Sequence, residues 1–399
     1  MKAIVASFRC FCIAEHQIAF RHSLAQRLAA ALLVLGSAFS GPVQAQAVTP
    51  ASAAPVKAPA VAPSGAAASA PQWFSVPRAS GRLRAADIGL VINTADPYSL
   101  AVGSYYMQER RLRPEQVLYV ELPLRSALKA DEFEALRTAV QGHFGPDTQA
   151  LALAWTQPYA VECNSITGAL ALGFDAGLCR HSCAASRVSA YANSASARPY
   201  TDHGMRLSML LAARDVDAAK RLIDRGVAAD RTLGLRAAPP ANVYFLTTDD
   251  AARNVRARLY PPAGLQRRAG VEVNVEPAAQ WRDPRRALLV LTGSVRLPGA
   301  ESIDWLDGGL GDHLTSYGGQ LSRETGQATA LDWIASGATA SHGSVSEPCN
   351  HLQKFPHPQW LLLHYLQGST AIEAYWKSVL WPQQSLFVGE PLAAPFARR

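Results

Sequence analysis

The chain has 399 residues, 49% of them hydrophobic and 17% charged, which excludes a wholly disordered chain and a charged coiled coil. Its length allows one large α/β domain or two to three small ones. The net charge is +7, of which residues 1–47 supply +3 through Lys2, Arg9, Arg21 and Arg27 against Glu15, and the remaining +4 is too mild a bias to indicate nucleic acid as a partner.

The basic stretch Arg21 to Arg27, the apolar run Leu28 to Phe39 and the small-x-small triplet Ala45-Gln46-Ala47 are the three parts of a secretory signal, so residues 1–47 are read as a leader and Val48 as the mature start. An apolar run of about 12 residues is too short to span a bilayer, and no 18-residue apolar run follows, so no membrane span is expected after the leader is removed. From Val48 to Pro71, 15 of 24 residues are Ala or Pro, a composition that predicts a disordered linker. Residues 72–399 then form the folded body.

The body reads as alternating strands and helices. Ile88 to Ile92 predicts a strand, and Asp96 followed by Pro97 caps a helix to about Arg110. Val117 to Val120 and Ala150 to Trp155 read as strands around a helix from Asp131 to His143. Residues 157–204 break the rhythm and read as an insertion holding three of the cysteines. Helices follow over Met205 to Ala213, Val216 to Arg225 and Asp249 to Leu259, with strands at Val243 to Leu246 and Ala287 to Leu291. Gly308 to Gly319 reads as a glycine-rich loop. Leu331 to Ser336, Trp360 to Leu366 and Thr370 to Val379 read as helices, and Ala338 to Ser341 and Ser385 to Val388 as the last strands. Short apolar runs without a polar face imply buried parallel strands, giving a mostly parallel central sheet of about seven strands flanked by helices.

In such sheets ligands bind beyond the carboxyl ends of the strands. Asn93, Asp96, Gln157, Thr292 and Glu347 follow strands there and are the candidate ligand-binding residues, expected to line one shared cleft with His342. The same residue types also cap helices and make turns. His313 and His342 lie in polar loops, and Cys349 follows His342 by seven residues. A thiol beside an imidazole is a nucleophile and base, so His313, His342 and Cys349 are the candidate catalytic set. Cys163, Cys179, Cys183 and Cys349 are an even set in an exported chain, which favours disulfides, with Cys163, Cys179 and Cys183 stapling the insertion. The Cys179-Arg180-His181-Ser182-Cys183 string resembles a metal-ligand cluster, but three ligands within five residues strain a tetrahedral site, and no metal is assigned. No nucleotide loop, nucleophile elbow or zinc-protease helix motif occurs, and no cofactor is assigned.

Several strings together, Trp155-Thr156-Gln157-Pro158-Tyr159, Cys163-Asn164-Ser165-Ile166-Thr167, Leu222-Ile223-Asp224-Arg225-Gly226-Val227, Arg253-Asn254-Val255-Arg256, Asp312-His313-Leu314-Thr315-Ser316, Ser344-Val345-Ser346-Glu347-Pro348, Lys354-Phe355-Pro356 and Gly389-Glu390-Pro391-Leu392, resemble an uncharacterised family of exported bacterial proteins. More distantly, Gly337-Ala338-Thr339-Ala340-Ser341, the helix around Glu373-Ala374 and Gly389-Glu390-Pro391 are similar to the C-terminal part of gingipain-type cysteine peptidases. That resemblance implies a caspase-like three-layer α/β sandwich. It also implies a His-Gly after one central strand and a nucleophilic Cys after the next. The corresponding strand ends here, Trp155-Thr156 and Thr292-Gly293, carry neither, and Glu390 stands where the family has Asp. The expectation is an exported, periplasmic or secreted protein of the caspase-like fold, either a divergent cysteine peptidase or a non-catalytic protein binding a peptide, a glycan or another envelope component.

Overall fold

The computed structural model describes residues 71–398 except 236, 298 and 323–325. The expected leader and all of the Ala/Pro-rich linker but Pro71 lie outside the described residues. The strands are β1 (Ile88–Asn93), β2 (Val117–Val120), β3 (Ala127–Leu128), β4 (Ala150–Leu153), β5 (Ala160–Val161), β6 (Asn164–Ser165), β7 (Leu207–Leu210), β8 (Ala241–Thr247), β9 (Gly264–Gln266), β10 (Val271–Pro277), β11 (Ala287–Thr292), β12 (Trp305–His313), β13 (Ala340–Ser344) and β14 (Ser385–Gly389). The helices are α1 (Pro97–Glu109), α2 (Ala130–His143), α3 (Ile166–Leu172), α4 (Ala176–Arg180), α5 (Pro199–His203), α6 (Val216–Ala228), α7 (Ala330–Ser336), α8 (Pro358–Leu366) and α9 (Ala371–Ser378).

Eleven strands form one sheet in the order β2-β1-β4-β7-β14-β13-β12-β11-β8-β10-β9, and β3, β5 and β6 form a small second sheet. The block β2-β1-β4-β7 is parallel, as is β13-β12-β11-β8-β10. Between the blocks runs β14, antiparallel to β13 and bridged to β7 at Val388 and Leu210. β1, β4, β7, β11, β13 and β14 are buried along their whole length, which is why their sequences show no polar alternation.

The expected seven strands are therefore too few. β7 lies in the segment read as a helix over Met205 to Ala213: its unbroken apolar run sits mid-sheet, buried on both faces, and such a run has no period to distinguish strand from helix. β12 occupies the segment read as a glycine-rich loop. Glycine is required there because Trp305 lies over Gly309 and Trp333 over Gly311, where a Cβ would collide with the indoles. β9 and β10 form an antiparallel ribbon at the sheet edge. The helix read over Asp249 to Leu259 is only a 3-10 segment, Asn254–Leu259.

Helices cover both faces. On one face α1 lies along α6, where the Tyr105 hydroxyl donates to Asp224 at 2.6 Å, and Arg225 of α6 reaches the Ala338 carbonyl at 2.6 Å beside α7. The cap at Asp96 forms as expected, its carboxylate accepting from the Tyr98 amide at 2.9 Å. On the other face α8 and α9 pack together, with Trp376 against Phe387. Glu390, wholly buried just after β14, binds Arg110 at the end of α1 at 2.9 and 2.6 Å. This ties the last strand to the first helix. The 157–204 insertion is built of β5, β6 and three short helices, with Cys163 bridged to Cys179.

Candidate functional site

Adjacent parallel strands put register partners side by side with side chains on the same face. Asp312 of β12 and His342 of β13 are such partners. The His342 Nδ1–H donates to Asp312 Oδ1 at 3.0 Å, and both side chains are fully buried. Asp312 Oδ2 is taken by Arg256, whose guanidinium also donates to the Thr292 carbonyl at 3.0 Å. Burial opposes ionisation of Asp312, but Arg256 and then His342 outweigh it and hold the carboxyl below its usual range. An ionised Asp312 can only accept, which places a proton of His342 on Nδ1. The His342 Nε2 is buried and without a partner among the described residues. The ring is walled by Phe355, edge-on at 6.1 Å, and Phe387 at 5.6 Å.

His313 follows Asp312 and so projects from the opposite face. The Trp333 indole N–H donates to its Nδ1 at 2.7 Å, and its Nε2–H donates to the Ala328 carbonyl at 2.6 Å. With both nitrogens engaged and its pKa lowered by burial, His313 is a neutral structural group. The two histidines therefore do not share a wall.

Phe355 separates His342 from a cavity of about 220 Å³ beyond the ends of β12 and β13, lined also by Arg253, residues 314–316 and residues 347–350. Two residues that line it, Thr315 and Arg253, each carry a side-chain atom, Oγ1 and Nε, that is buried out of solvent without a hydrogen-bond partner among the described residues. Glu347 lines it too, accepting from the Cys349 amide at 2.8 Å. Cys349 does not offer a thiol: it is bonded to Cys183, with Cα atoms 5.3 Å apart. The loop after β13 is drawn to the insertion, Ser346 donating to the Cys163 carbonyl at 2.7 Å and Lys354 to the Ser182 carbonyl at 2.6 Å, and this brings the two cysteines together. The set His313, His342 and Cys349 is thus not a catalytic trio as the molecule is folded. All four cysteines of the body are in disulfides, the chemistry of an oxidising compartment.

The strand-end residues do not converge either. The loops after β4 and β12 do meet, through the Tyr159 and Ser322 hydroxyls at 3.2 Å, the loop after β7 reaches α7 through the Arg214–Asp332 pair at 2.7 Å, and Gln320 after β12 donates to the Val345 carbonyl after β13 at 2.8 Å. Yet β1 and β13 are four strand spacings apart, roughly 19 Å. Asn93 there is spent on the backbone, its amide donating to the Leu122 carbonyl at 3.1 Å and its carbonyl accepting from the Leu122 amide at 2.9 Å. Asp96 caps α1. Thr292 is buried against Ser294 at 2.9 Å, and Gln157 sits in a cis-proline turn after β4. Of the predicted ligand residues only Glu347 borders the cavity. The residues missed by sequence reasoning are Arg256, Asp312, Arg253, Thr315 and Phe355. Arg253, Arg256, Asp312, Thr315 and Phe355 all fall inside strings that carried the family resemblance, which was the available signal.

Among the described residues no three His, Cys, Asp or Glu side chains group as a metal site, and no helix is long and apolar enough to cross a membrane. Compared with known proteins, the chain matches no family model, no curated protein and no solved structure.

Proposed function

We propose that this is an exported, non-catalytic binding protein of the periplasm or cell envelope, built on a caspase-like α/β scaffold. It uses the cavity beside Phe355 to hold a segment of peptide or glycan. The observation that carries this reading is the cavity itself, lined by Thr315 and Arg253, each with a buried side-chain atom that has no partner among the described residues, and by Cys349, which is locked in a disulfide. A buried polar atom without a partner costs free energy, and a small turn of these side chains toward a ligand's amide or hydroxyl would recover it. A flat aromatic side with a few convergent polar groups is the usual make-up of a small-molecule or side-chain pocket.

The second reading, a divergent cysteine peptidase of gingipain type, is favoured by one observation, the Asp312–His342 pair with its unpartnered Nε2. That is the orientation a general base requires. It lacks a free nucleophile beside it.

One experiment separates the two. The native protein is treated with an alkylating reagent, with and without mild reductant, then assayed for peptide hydrolysis and for binding of tetrapeptide and N-acetylglucosamine-oligomer libraries by thermal shift. The binding reading expects no alkylation without reductant, no hydrolysis in either state, and a thermal shift lost in Thr315→Val. Hydrolysis that appears on reduction and disappears in Cys349→Ser establishes the peptidase instead.

A further inference from the structure

Away from that cavity, at the edge of the sheet where β1 begins and β14 ends, the molecule gathers arginines. Arg78, Arg82 and Arg84 come from the extended segment before β1, held to the body by the Ala79 amide donating to Gln367 at 2.7 Å and the Leu83 amide donating to Glu373 at 3.1 Å. Arg111 comes from the turn closing α1, Arg231 from the turn after α6, and Arg398 from the end of the chain. They line two adjoining clefts of about 450 and 510 Å³ that share Arg82, Arg84 and Arg398.

The charges there are not balanced. Among the described residues none of these six guanidiniums has an ion-pair partner, whereas Arg110, in the same cleft, is tied to Asp230 and Glu390 at 2.6 Å each. The cleft carboxylates are Glu109 and that already engaged Asp230. Glu373, buried behind Leu83, adds a partial offset, but it is spent on the Thr370 amide and hydroxyl at 2.9 and 2.8 Å. Burial, then Arg231 and Arg84, lower the pKa of Arg82, as expected of a guanidinium crowded by its own kind.

We propose that these two clefts are one binding site for a ligand carrying two adjacent phosphate-type oxyanions, the chemistry shared by free diphosphate, diphosphate esters and the headgroups of diphosphate lipids. Guanidinium forks match phosphate oxygens in bidentate geometry, and a ligand with two charged groups spans both clefts through the shared arginines. A single carboxylate would engage one fork and leave the rest repelling. The concave form of the site favours a small ligand over a flat membrane surface.

The test is calorimetric titration of the full chain with sodium pyrophosphate at low salt, with acetate as the monovalent control and phosphatidylcholine vesicles carrying a polyprenyl diphosphate as the lipid arm. Arg84→Gln/Arg398→Gln removes two exposed charges from the site, and Arg267→Gln/Arg268→Gln removes two from the distant β9–β10 turn. The proposal expects pyrophosphate to bind, acetate not, and affinity to fall at least about tenfold in the first pair while staying within about twofold in the second. Arg111→Gln/Arg231→Gln gives the same reading if the first pair fails to fold. No pyrophosphate binding, or an equal loss in the site and control pairs, overturns it. Vesicle binding without pyrophosphate binding also overturns it, in favour of a membrane-facing surface. Vesicle and pyrophosphate binding that compete identify the lipid headgroup as the source.

Discussion

Asp312 and His342 are register partners on neighbouring parallel strands, and their side chains meet at 3.0 Å in the fully buried interior with Arg256 on the far oxygen. The cluster is an ion pair extended by an imidazole. Removing one member of such a pair strands the other without solvent, which typically costs about 3–5 kcal/mol, whereas replacing both by apolar groups is often near neutral. Asp312→Asn is therefore expected to lower unfolding free energy by about that amount in urea titration, and Arg256→Met/Asp312→Leu by clearly less. A double-variant loss equal to the sum of the Arg256→Met and Asp312→Leu single losses would show that Arg256 and Asp312 are not coupled.

The disulfides differ in the loop they close. Cys163 and Cys179 are 16 residues apart, while Cys183 and Cys349 are 166 apart. In the chain-entropy model the first is worth about 3 kcal/mol and the second about 5 kcal/mol. Cys183→Ser/Cys349→Ser is thus expected to destabilise more than Cys163→Ser/Cys179→Ser in chemical unfolding. It is also expected to disturb the cavity, because Cys349 lines its wall.

How much of this was legible in the sequence depended on whether a residue's role was local. The Asp96-Pro97 start of α1 and the buried strands at β1 and β11 follow from neighbours in the chain, and the structure has them. The Val271–Pro277 strand was missed although its valines alternate with Glu, Asn and Glu; Val271 and Val273 are buried, but Val275 is exposed at the sheet edge. β12 was not legible, because the reason for Gly309 and Gly311 is two tryptophans, one of them from α7. The site failed similarly. Asn93 ends β1 and His342 lies within β13 of the same sheet, but strand order decides their separation, and β14, last in the chain, inserts between the blocks. Cys349 looked available because its partner lies 166 residues earlier.

Gly343 carries a close approach that holds the cavity loop. A Cβ there would fall within contact of the Gly318 backbone and the Gly319 amide nitrogen, and the Gly319 amide donates to the Ser344 carbonyl at 2.9 Å. Backbone cannot swing aside as a side-chain tip can. Gly343→Ala is expected to cost about 1–3 kcal/mol and to loosen the loop bearing Thr315, read as faster amide exchange over residues 314–320. An unchanged exchange pattern would mean that this packing does not position the loop.

Half-buried His357 and buried His364 contribute to the acid limit of the fold. Burial depresses the pKa of His357 to about 4, and burial with the neighbouring Lys377 charge depresses that of His364 to about 3. The His364 Nε2–H donates to Asn193 Oδ1 at 2.9 Å. Both remain unprotonated in the folded chain while the unfolded chain takes up their protons near pH 6.5, so the unfolded state binds more protons below that pH. Stability is therefore expected to be intact above pH 6.5 and to fall steadily as pH drops toward 4, with each histidine adding a slope of up to about 1.4 kcal/mol per pH unit. His364→Gln, which can still donate to Asn193, should remove its share of that slope while leaving stability at pH 7.5 little changed. Urea titrations at pH 7.5, 6.0 and 5.0 measure this, and identical slopes in the two proteins would show that His364 is not the group resisting protonation.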